Sequence, residues 1–219
     1  MPKISGPKPA GPTLKHERLY ARSHQGPVAG VDEAGRGPLA GPVVAAAVVL
    51  DPKCIPKGID DSKVLTAARR AALCAQLLDC AKVGVGVASV EEIDSLNILW
   101  ATMLAMHRAV DALGIVPAMV LVDGNRCPKW PHTSQWIIGG DALCLSIAAA
   151  SIVAKHQRDA MMIALDALHP GYGWASNKGY GAKVHQEALR TLGPTPHHRR
   201  SFAAVAQAHF DFGPAIAAE

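Results

Sequence analysis

The chain has 219 residues, of which 49% are hydrophobic and 18% charged, with a formal net charge of +4. This composition excludes a wholly disordered chain and a long coiled coil, and the length suits one domain with appendages. The longest apolar runs, VVAAAVVL (43–50) and ALCLSIAAASIVA (142–154), are too short to span a membrane. We therefore predict a globular domain with no membrane partner.

The two ends of the chain and its cysteines bear on the cellular compartment in which the protein is expected. Residues 1–13 are rich in proline and predict a flexible tail, with a second tail at 213–219. The start of the chain carries no apolar stretch typical of a secretion signal. The five cysteines are odd in number and form no CxxC pair. We therefore expect a cytoplasmic protein whose free thiols act as small apolar fillers.

Hydrophobic periodicity predicts five strands with helices around them. Strands are expected at 27–33, 41–50, 83–90, 119–122 and 136–138. Helices are expected at 14–24, 65–81, from residue 89 or 91 to about 114, 141–168, 183–192 and 202–210. The segment GYGWASNKGYG (171–181) is predicted to be a loop. This order of elements predicts an α/β fold with a mixed sheet.

The stretch VAGVDEAGRGPLAGP (28–42) places Asp32 and Glu33 between an apolar strand and a glycine-rich turn that carries Arg36. Neighbouring strand residues point to opposite faces, so the two acids share one site only if the strand ends or bulges between them. Two desolvated carboxylates repel and require a proton or a cation. Their hard oxygen atoms suit Mg²⁺ or Mn²⁺ better than zinc. The alternative is a solvated turn with two surface acids.

Two further acids follow apolar strands. Asp123 ends the strand at 119–122, and Asp141 follows the strand at 136–138 and opens a helix. If the strand before Asp123 runs parallel to and beside the strand before Asp32, their carboxylates meet at one edge of the sheet. Each position has a simpler alternative, because Asp141 suits a helix N-cap and Asp123 suits an Asx turn before Gly124. Three strand-end acid sites in a chain poor in charge favour a shared metal site.

Other motifs point to no competing function. The chain lacks the P-loop pattern, and GRGPLAG (35–41) has its last glycine one place late for a dinucleotide-binding motif. The segment PHHRR (196–200) looks zinc-like, but we interpret it as a basic, solvated segment. If the acids gather in one site, the remaining surface is more basic than the net charge suggests. That combination suits an enzyme that holds a phosphate backbone.

With these motifs in view, the sequence resembles the ribonuclease HII family from about residue 14 to residue 212. The resemblance is carried by DEAGRGPLAGPVV (32–44), Asp123-Gly124, Gly140-Asp141 and KGYG (178–181). It implies a ribonuclease H-like fold, in which a mixed five-stranded sheet is flanked by helices and a small helical part begins at about residue 182. It also implies a catalytic, metal-binding set of four acids that holds two divalent ions, Mg²⁺ or Mn²⁺. These acids are Asp32, Glu33, Asp123 and Asp141.

The resemblance further implies a monomeric endonuclease that cuts the RNA strand of RNA–DNA hybrids. It would also nick duplex DNA on the 5′ side of an embedded ribonucleotide, leaving 3′-hydroxyl and 5′-phosphate ends, as ribonucleotide excision repair requires. The backbone of Gly35-Arg36-Gly37 would recognise the 2′-hydroxyl, and Tyr180 would pack on the sugar next to the junction. Other matching positions are Asp61-Ser62-Lys63, Ser151, Lys155, Arg158 and His185.

The spacing of Ser151, Lys155 and Arg158 places them on one helix face that would meet a phosphate strand. Two segments depart from the family pattern. His156-Gln157 replaces a small or β-branched pair, and FAAV (202–205) replaces FAPV. Two alternatives to this function remain open. One is another metal nuclease of the same fold class, such as a structure-specific resolvase, and the other is a non-catalytic nucleic-acid-binding module.

Overall fold

The computed structural model describes residues 11–212 and has a mixed sheet at its centre. The strands are β1 (Val28–Ala34), β2 (Val43–Leu50), β3 (Ala81–Ala88), β4 (Met119–Asp123) and β5 (Ser134–Ile137). Their order across the sheet is β3-β2-β1-β4-β5. β1 runs antiparallel to β2 and parallel to β4, which in turn runs parallel to β5. The predicted α/β class and mixed five-stranded sheet are confirmed.

Helices cover both faces of this sheet. They are α1 (Lys15–His24), α2 (Ala67–Cys80), α3 (Val90–Leu96), α4 (Ile98–Asp111), α5 (Gly140–Leu143), α6 (Leu145–Leu168), α7 (Trp174–Asn177), α8 (Lys183–Leu192) and α9 (Ala203–Phe212). α4 packs on one face of β1 and β2, while α2 and α6 pack on the other. Of the helices within residues 11–212, none has the length and apolar character needed to cross a membrane.

The predicted tails lie almost wholly outside the described residues, and the predicted loop contains a helix. The tails predicted at 1–13 and 213–219 lie outside the described residues, except for residues 11–13. Thr13 forms backbone hydrogen bonds of 3.1 Å with both Leu143 and Leu145. The predicted loop at 171–181 contains the short helix α7, whose Trp174 is fully buried.

α6 packs directly along β1, and a glycine permits this close approach. A Cβ atom on Gly30 would overlap the backbone of Ser146 and Ile147 at the start of α6. Glu17 of α1 fixes the same end of α6, because its carboxylate accepts hydrogen bonds of 2.7 Å from the backbone N–H and hydroxyl of Ser146. From there α6 follows β1 as far as Gly35, which lies against Arg158. The helix therefore connects the core to the carboxyl end of β1.

Two helices predicted as continuous are interrupted. The helix expected from residue 89 or 91 to about 114 is divided at Asn97, which has a φ of 67° and accepts hydrogen bonds from the N–H groups of Leu99 and Trp100. This side chain caps α4 and makes the break favourable. The helix expected at 141–168 is divided at Cys144, which has extended backbone. There the pairing of Thr13 with the chain on either side of Cys144 replaces helical hydrogen bonds.

The expectation of five free thiols is wrong for one pair. Cys54 and Cys80 form a disulfide whose Cα atoms lie 5.5 Å apart. Their separation of 26 residues matches no short spacing motif, so the sequence pattern gave no sign of the bond. Cys74 and Cys144 are buried free thiols, as expected for apolar fillers.

The break at Asn97 predicts an ordered series of stabilities. Asn97→Ala removes the capping oxygen and leaves alanine at a positive φ, which asparagine adopts more readily. The change should lower the free energy of unfolding by about 2 kcal/mol. Asn97→Asp keeps the capping oxygen and should stay within about 0.5 kcal/mol of the parent. Urea unfolding monitored by circular dichroism measures both. Equal stabilities for the alanine and aspartate variants would show that the cap does not stabilise this junction.

Candidate active site

Three carboxylates converge at the carboxyl ends of β1 and β4. The parallel ladder joins Val31 to Val122, so the residues that follow, Asp32 and Asp123, lie side by side on neighbouring strands. One carboxylate oxygen from each of Asp32, Asp123 and Asp141 lies within 4.8 Å of the others. The predicted meeting of strand-end acids is therefore present in the fold. We call these three residues the acid triad.

α5 brings the third member of the triad into place. Asp123 Oδ1 accepts a hydrogen bond of 2.7 Å from the N–H of Gly140, which ties the end of β4 to the first turn of α5. The N-cap of this helix is Gly139, with a φ of 63°, and it makes no side-chain cap. Asp141 is therefore not the capping residue of its helix. Its carboxylate instead accepts a hydrogen bond of 2.9 Å from Lys63 Nζ.

Glu33 lies beside the triad and not within it. β1 continues to Ala34, and its ladder with β2 is unbroken at Asp32 and Glu33, so the strand end or bulge that we required for the two acids to share one site is not present there. Alternation directs their side chains to opposite faces of β1. Glu33 reaches the edge of the same cavity, where its Oε1 lies 3.3 Å from Nη1 of Arg36.

Burial and mutual repulsion disfavour the ionised form of the carboxyl groups in this site. Burial, reinforced by the charges of Glu33 and Asp123, raises the pKa of Asp32 well above its usual range. Burial also raises the pKa of Glu33, although Arg36 opposes this effect, and burial with the charge of Asp141 raises the pKa of Asp123. The acids therefore require a compensating positive charge.

A cation already lies against the triad. Burial lowers the pKa of Lys63, but its hydrogen bond to Asp141 and the charge of that carboxylate outweigh burial and raise the pKa overall. Lys63 is therefore an ammonium ion in contact with the triad. Three closely spaced carboxylate oxygens without nitrogen or sulfur ligands form a donor set that fits a hard divalent cation such as Mg²⁺ or Mn²⁺.

A cavity of about 270 Å³ opens over these acids. Its lining consists of Asp32, Glu33, Ala34, Gly35, Arg36, Gly37, Ser62, Lys63, Asp123, Lys155 and Tyr180. A larger cavity of about 400 Å³ lies beside α1 and is lined mainly by apolar residues. Of the two, only the smaller combines clustered acids with lysine, arginine and an aromatic ring, so it is the better candidate for chemistry on a charged substrate.

The glycine-rich turn and the tyrosine predicted to contact substrate face each other in this cavity. Gly35 has a φ of 97°, and a Cβ atom there would overlap the guanidinium of Arg158, so only glycine fits. A Cβ atom on Gly37 would lie 3.5 Å from Cε1 of Tyr180. Tyr180 is 49% exposed, and Arg36 is also accessible to solvent. A sugar or base could therefore reach both elements at once.

The predicted phosphate-facing side of α6 is mostly buried. Lys155 lines the cavity and bonds to Asp159 at 2.7 Å. Ser151 is buried, and its hydroxyl accepts from the N–H of Ser62, which positions the loop that carries Lys63. Arg158 is also buried and donates only to backbone carbonyls, which belong to Ala40, Pro42 and Lys178. Ser151 and Arg158 are therefore not placed to meet a phosphate strand.

Two further placements differ from the expectations. His185, predicted to contact substrate, is fully buried behind Tyr180. The interpretation of PHHRR (196–200) as a solvated segment is wrong for His198 and Arg199, which are buried, although Arg200 is exposed. Arg199 donates hydrogen bonds to carbonyls of the segment that carries Gly35 and Arg36. Sequence reasoning missed this role because the acceptors are backbone atoms, which leave no complementary acid in the sequence.

Comparison with known proteins agrees with this geometry. A family model described as Ribonuclease HII matches residues 29–205. A protein named Ribonuclease HII from Rhizorhabdus wittichii is 68% identical over 198 residues, which cover 90% of this chain and 96% of that protein. A protein of the same name from Paraburkholderia xenovorans is 54% identical and covers 94% of this chain, with 84% of its own length matched.

Solved structures with the same fold are also ribonucleases. Ribonuclease H2 from Pyrococcus horikoshii is similar with a TM-score of 0.68 and 30% identity, covering 85% of this chain and 98% of that one. Bst-RNase HIII in complex with Mn²⁺ is similar in fold, with a TM-score of 0.67 at 21% identity over 88% of this chain and 72% of that one. The predicted ribonuclease H-like fold is confirmed. The chain belongs to the ribonuclease HII family and is a ribonuclease H endonuclease.

Proposed function

We propose that this metal-dependent endonuclease cuts the RNA strand of RNA–DNA hybrids and also nicks duplex DNA on the 5′ side of a single embedded ribonucleotide. The products would carry 3′-hydroxyl and 5′-phosphate ends. The observation that supports the second activity most strongly is one cavity that contains the acid triad, the Gly35–Gly37 turn and Tyr180. The 2′-hydroxyl distinguishes RNA from DNA. A turn that binds this hydroxyl beside the acids would therefore couple recognition of RNA to cleavage.

The acid triad, with Glu33 at its edge, would hold the metal. Two divalent ions, Mg²⁺ or Mn²⁺, would when bound supply an activated water, neutralise phosphoryl charge and stabilise the leaving oxygen. Lys63 compensates the charge of Asp141, and Lys155 adds a second ammonium group to the cavity. Arg36, which is half-exposed and lies 3.3 Å from Glu33, would contact a phosphate while it orients that carboxylate.

Recognition of the sugar would come from the turn and the tyrosine. Arg199 donates hydrogen bonds to the carbonyls of Gly35 and Arg36, so the N–H groups of the turn would be the ones left for the substrate. The ring of Tyr180 lies beside Gly37 and is half-exposed, so it would be free to pack on the sugar next to the junction. The proposed enzyme would act as a monomer. Its proposed substrates would place the activity in the cytoplasm.

A nicking assay tests this function. We expect Mg²⁺- or Mn²⁺-dependent cleavage of a DNA duplex with one ribonucleotide, at its 5′ side, and of an RNA–DNA hybrid, but not of an all-DNA duplex. Ligation of the products would confirm the 3′-hydroxyl and 5′-phosphate ends. Cleavage of all-DNA four-way junctions would favour a structure-specific resolvase, and metal-independent binding without cleavage would favour a non-catalytic module.

Asp123→Asn should reduce the cleavage rate by more than about a hundredfold, because the change removes a charged metal ligand. Binding of the RNA–DNA duplex should persist, since the amide reduces repulsion of the phosphates. Single-turnover cleavage and fluorescence anisotropy measure the two quantities. Asp79→Asn, at an exposed position of α2, is a matched control away from the cavity and should keep the parental cleavage rate. Near-parental turnover by Asp123→Asn would exclude Asp123 from the proposed site.

The acid triad should also make metal-free stability depend on pH. Burial raises the pKa of Asp32, Glu33 and Asp123, so these groups favour folding while protonated and lose that contribution as the pH rises through the raised values. In a chelator, the melting temperature should therefore fall as the pH rises above about 4, the ordinary pKa of a carboxyl group, and less so for Asp123→Asn. Mn²⁺ at the higher pH should restore the parent more than the variant. Parallel pH profiles for both proteins would contradict this account.

Tyr180→Ala should weaken cleavage at a single embedded ribonucleotide more than cleavage within a continuous RNA–DNA hybrid, because the ring would pack on the sugar next to the junction. Tyr180→Phe retains the ring and should behave like the parent. Comparing kcat/KM for the two substrates provides the measurement. Equal losses on both substrates would refute the junction role.

A further inference from the structure

We propose that the neighbouring residues His198 and Arg199 form a positioning element that aligns the Gly35–Gly37 turn with Tyr180 and thereby sets the preference for a single embedded ribonucleotide. This inference rests on the proposed function, because it assigns substrate contact to the turn and the tyrosine. Neither His198 nor Arg199 lines the cavity, so both would act through other residues.

Arg199 holds the turn from behind. Its guanidinium is fully buried, and each of its three nitrogens donates to backbone carbonyls at 2.6–3.2 Å. The acceptors are the carbonyls of Gly35, Arg36, Pro38, Gly41 and Pro42. Burial lowers its pKa to about 9, so the side chain remains a cation at neutral pH. A planar fork that binds so many carbonyls fixes the path of the turn in a way that lysine cannot reproduce.

His198 holds Tyr180 through His185. The Nδ1 atom of His198 accepts from the backbone N–H of Thr195 at 2.9 Å, so its Nε2 carries the proton and donates to Nε2 of His185 at 3.0 Å. Nδ1 of His185 then donates to the carbonyl of Tyr180 at 2.8 Å, while the donors on His198 and Trp174 share the single lone pair of its Nε2. Burial lowers the pKa of both histidines, that of His198 to about 3, which keeps this chain of neutral tautomers intact.

The two held elements are also joined to each other. The N–H of Leu39 donates to the carbonyl of Gly179 at 2.8 Å, and Arg158 spans from Ala40 to Lys178. The backbone N–H of Arg199 in turn donates to the carbonyl of Leu39 at 2.9 Å. The turn, the Tyr180 loop and the segment with His198 and Arg199 therefore form one hydrogen-bonded unit. A displacement of His198 and Arg199 would therefore move both the Gly35–Gly37 turn and Tyr180 relative to the acid triad.

The test compares two substrates, a duplex with one ribonucleotide and a continuous RNA–DNA hybrid, by the ratio of their kcat/KM values. Arg199→Lys keeps the charge but loses the fork, and it should lower this ratio by about tenfold. His198→Phe keeps the ring but removes the donor, and it should lower the ratio in the same direction. His198→Gln restores an N–H toward His185 and should recover most of the parental ratio.

A double-mutant cycle separates positioning from general destabilisation. Adding Arg199→Lys or His198→Phe to Tyr180→Ala should reduce the ratio little further, because the same contact is already lost. Leu77→Ala, at a buried position of α2, is the control for lowered stability and should leave the ratio unchanged. If Arg199→Lys fails to fold, the two His198 variants carry the test.

An unchanged ratio in the folded variants, or losses that add fully to that of Tyr180→Ala, would overturn this inference. Failure of the proposed function has a different signature, since the parental enzyme itself would then not cut the duplex with one ribonucleotide. Recovery by His198→Gln together with non-additive losses would support the positioning role.

Discussion

The mutual repulsion of the acid triad is the constraint on which the site depends. Asp32, Asp123 and Asp141 come from two parallel strands and a helix turn, yet their oxygens lie within 4.8 Å of one another in a largely buried position. Folding alone does not favour such a cluster, because burial and like charge both disfavour the ionised groups. The fold tolerates it because other interactions hold its elements in place, such as the close packing of α6 on Gly30 of β1 and the hydrogen bond from the N–H of Gly140 that joins α5 to β4.

The distribution of buried cations follows from the same constraint. Arg158 and Arg199 lie close to the site but direct their donors to backbone carbonyls, so they stabilise loops without forming ion pairs with the triad. The cations that do contact acids of the site, Lys63 and Arg36, are accessible at the cavity. The acids therefore keep their affinity for positive charge, which a divalent ion and its phosphate-bearing substrate would use. The buried arginines hold the loops around a cluster of acids whose negative charge is only partly compensated. This arrangement suits metal-dependent hydrolysis of a phosphodiester.

Much of this arrangement could be predicted from the sequence, and the misses have physical causes. The apolar runs located all five strands, and acids at strand ends predicted the meeting of Asp32 with Asp123, because parallel strands share one edge. Helical spacing placed Ser151, Lys155 and Arg158 on one face of a helix, but it could not show that Lys155 lines the cavity while Ser151 and Arg158 are buried. The break at Asn97 depends on one side chain capping a helix, which periodicity does not register. The role of Arg199 was hidden because its partners are carbonyls, which every residue has.

The most direct measurement for the central claim is the location of bound metal. Crystals of the enzyme soaked in Mn²⁺ should give anomalous difference density between the carboxylates of Asp32, Asp123 and Asp141, and Asp123→Asn crystals should lose or weaken it. Density bound elsewhere, or none at the acid triad while the enzyme still cleaves RNA–DNA hybrids in Mn²⁺, would contradict the account.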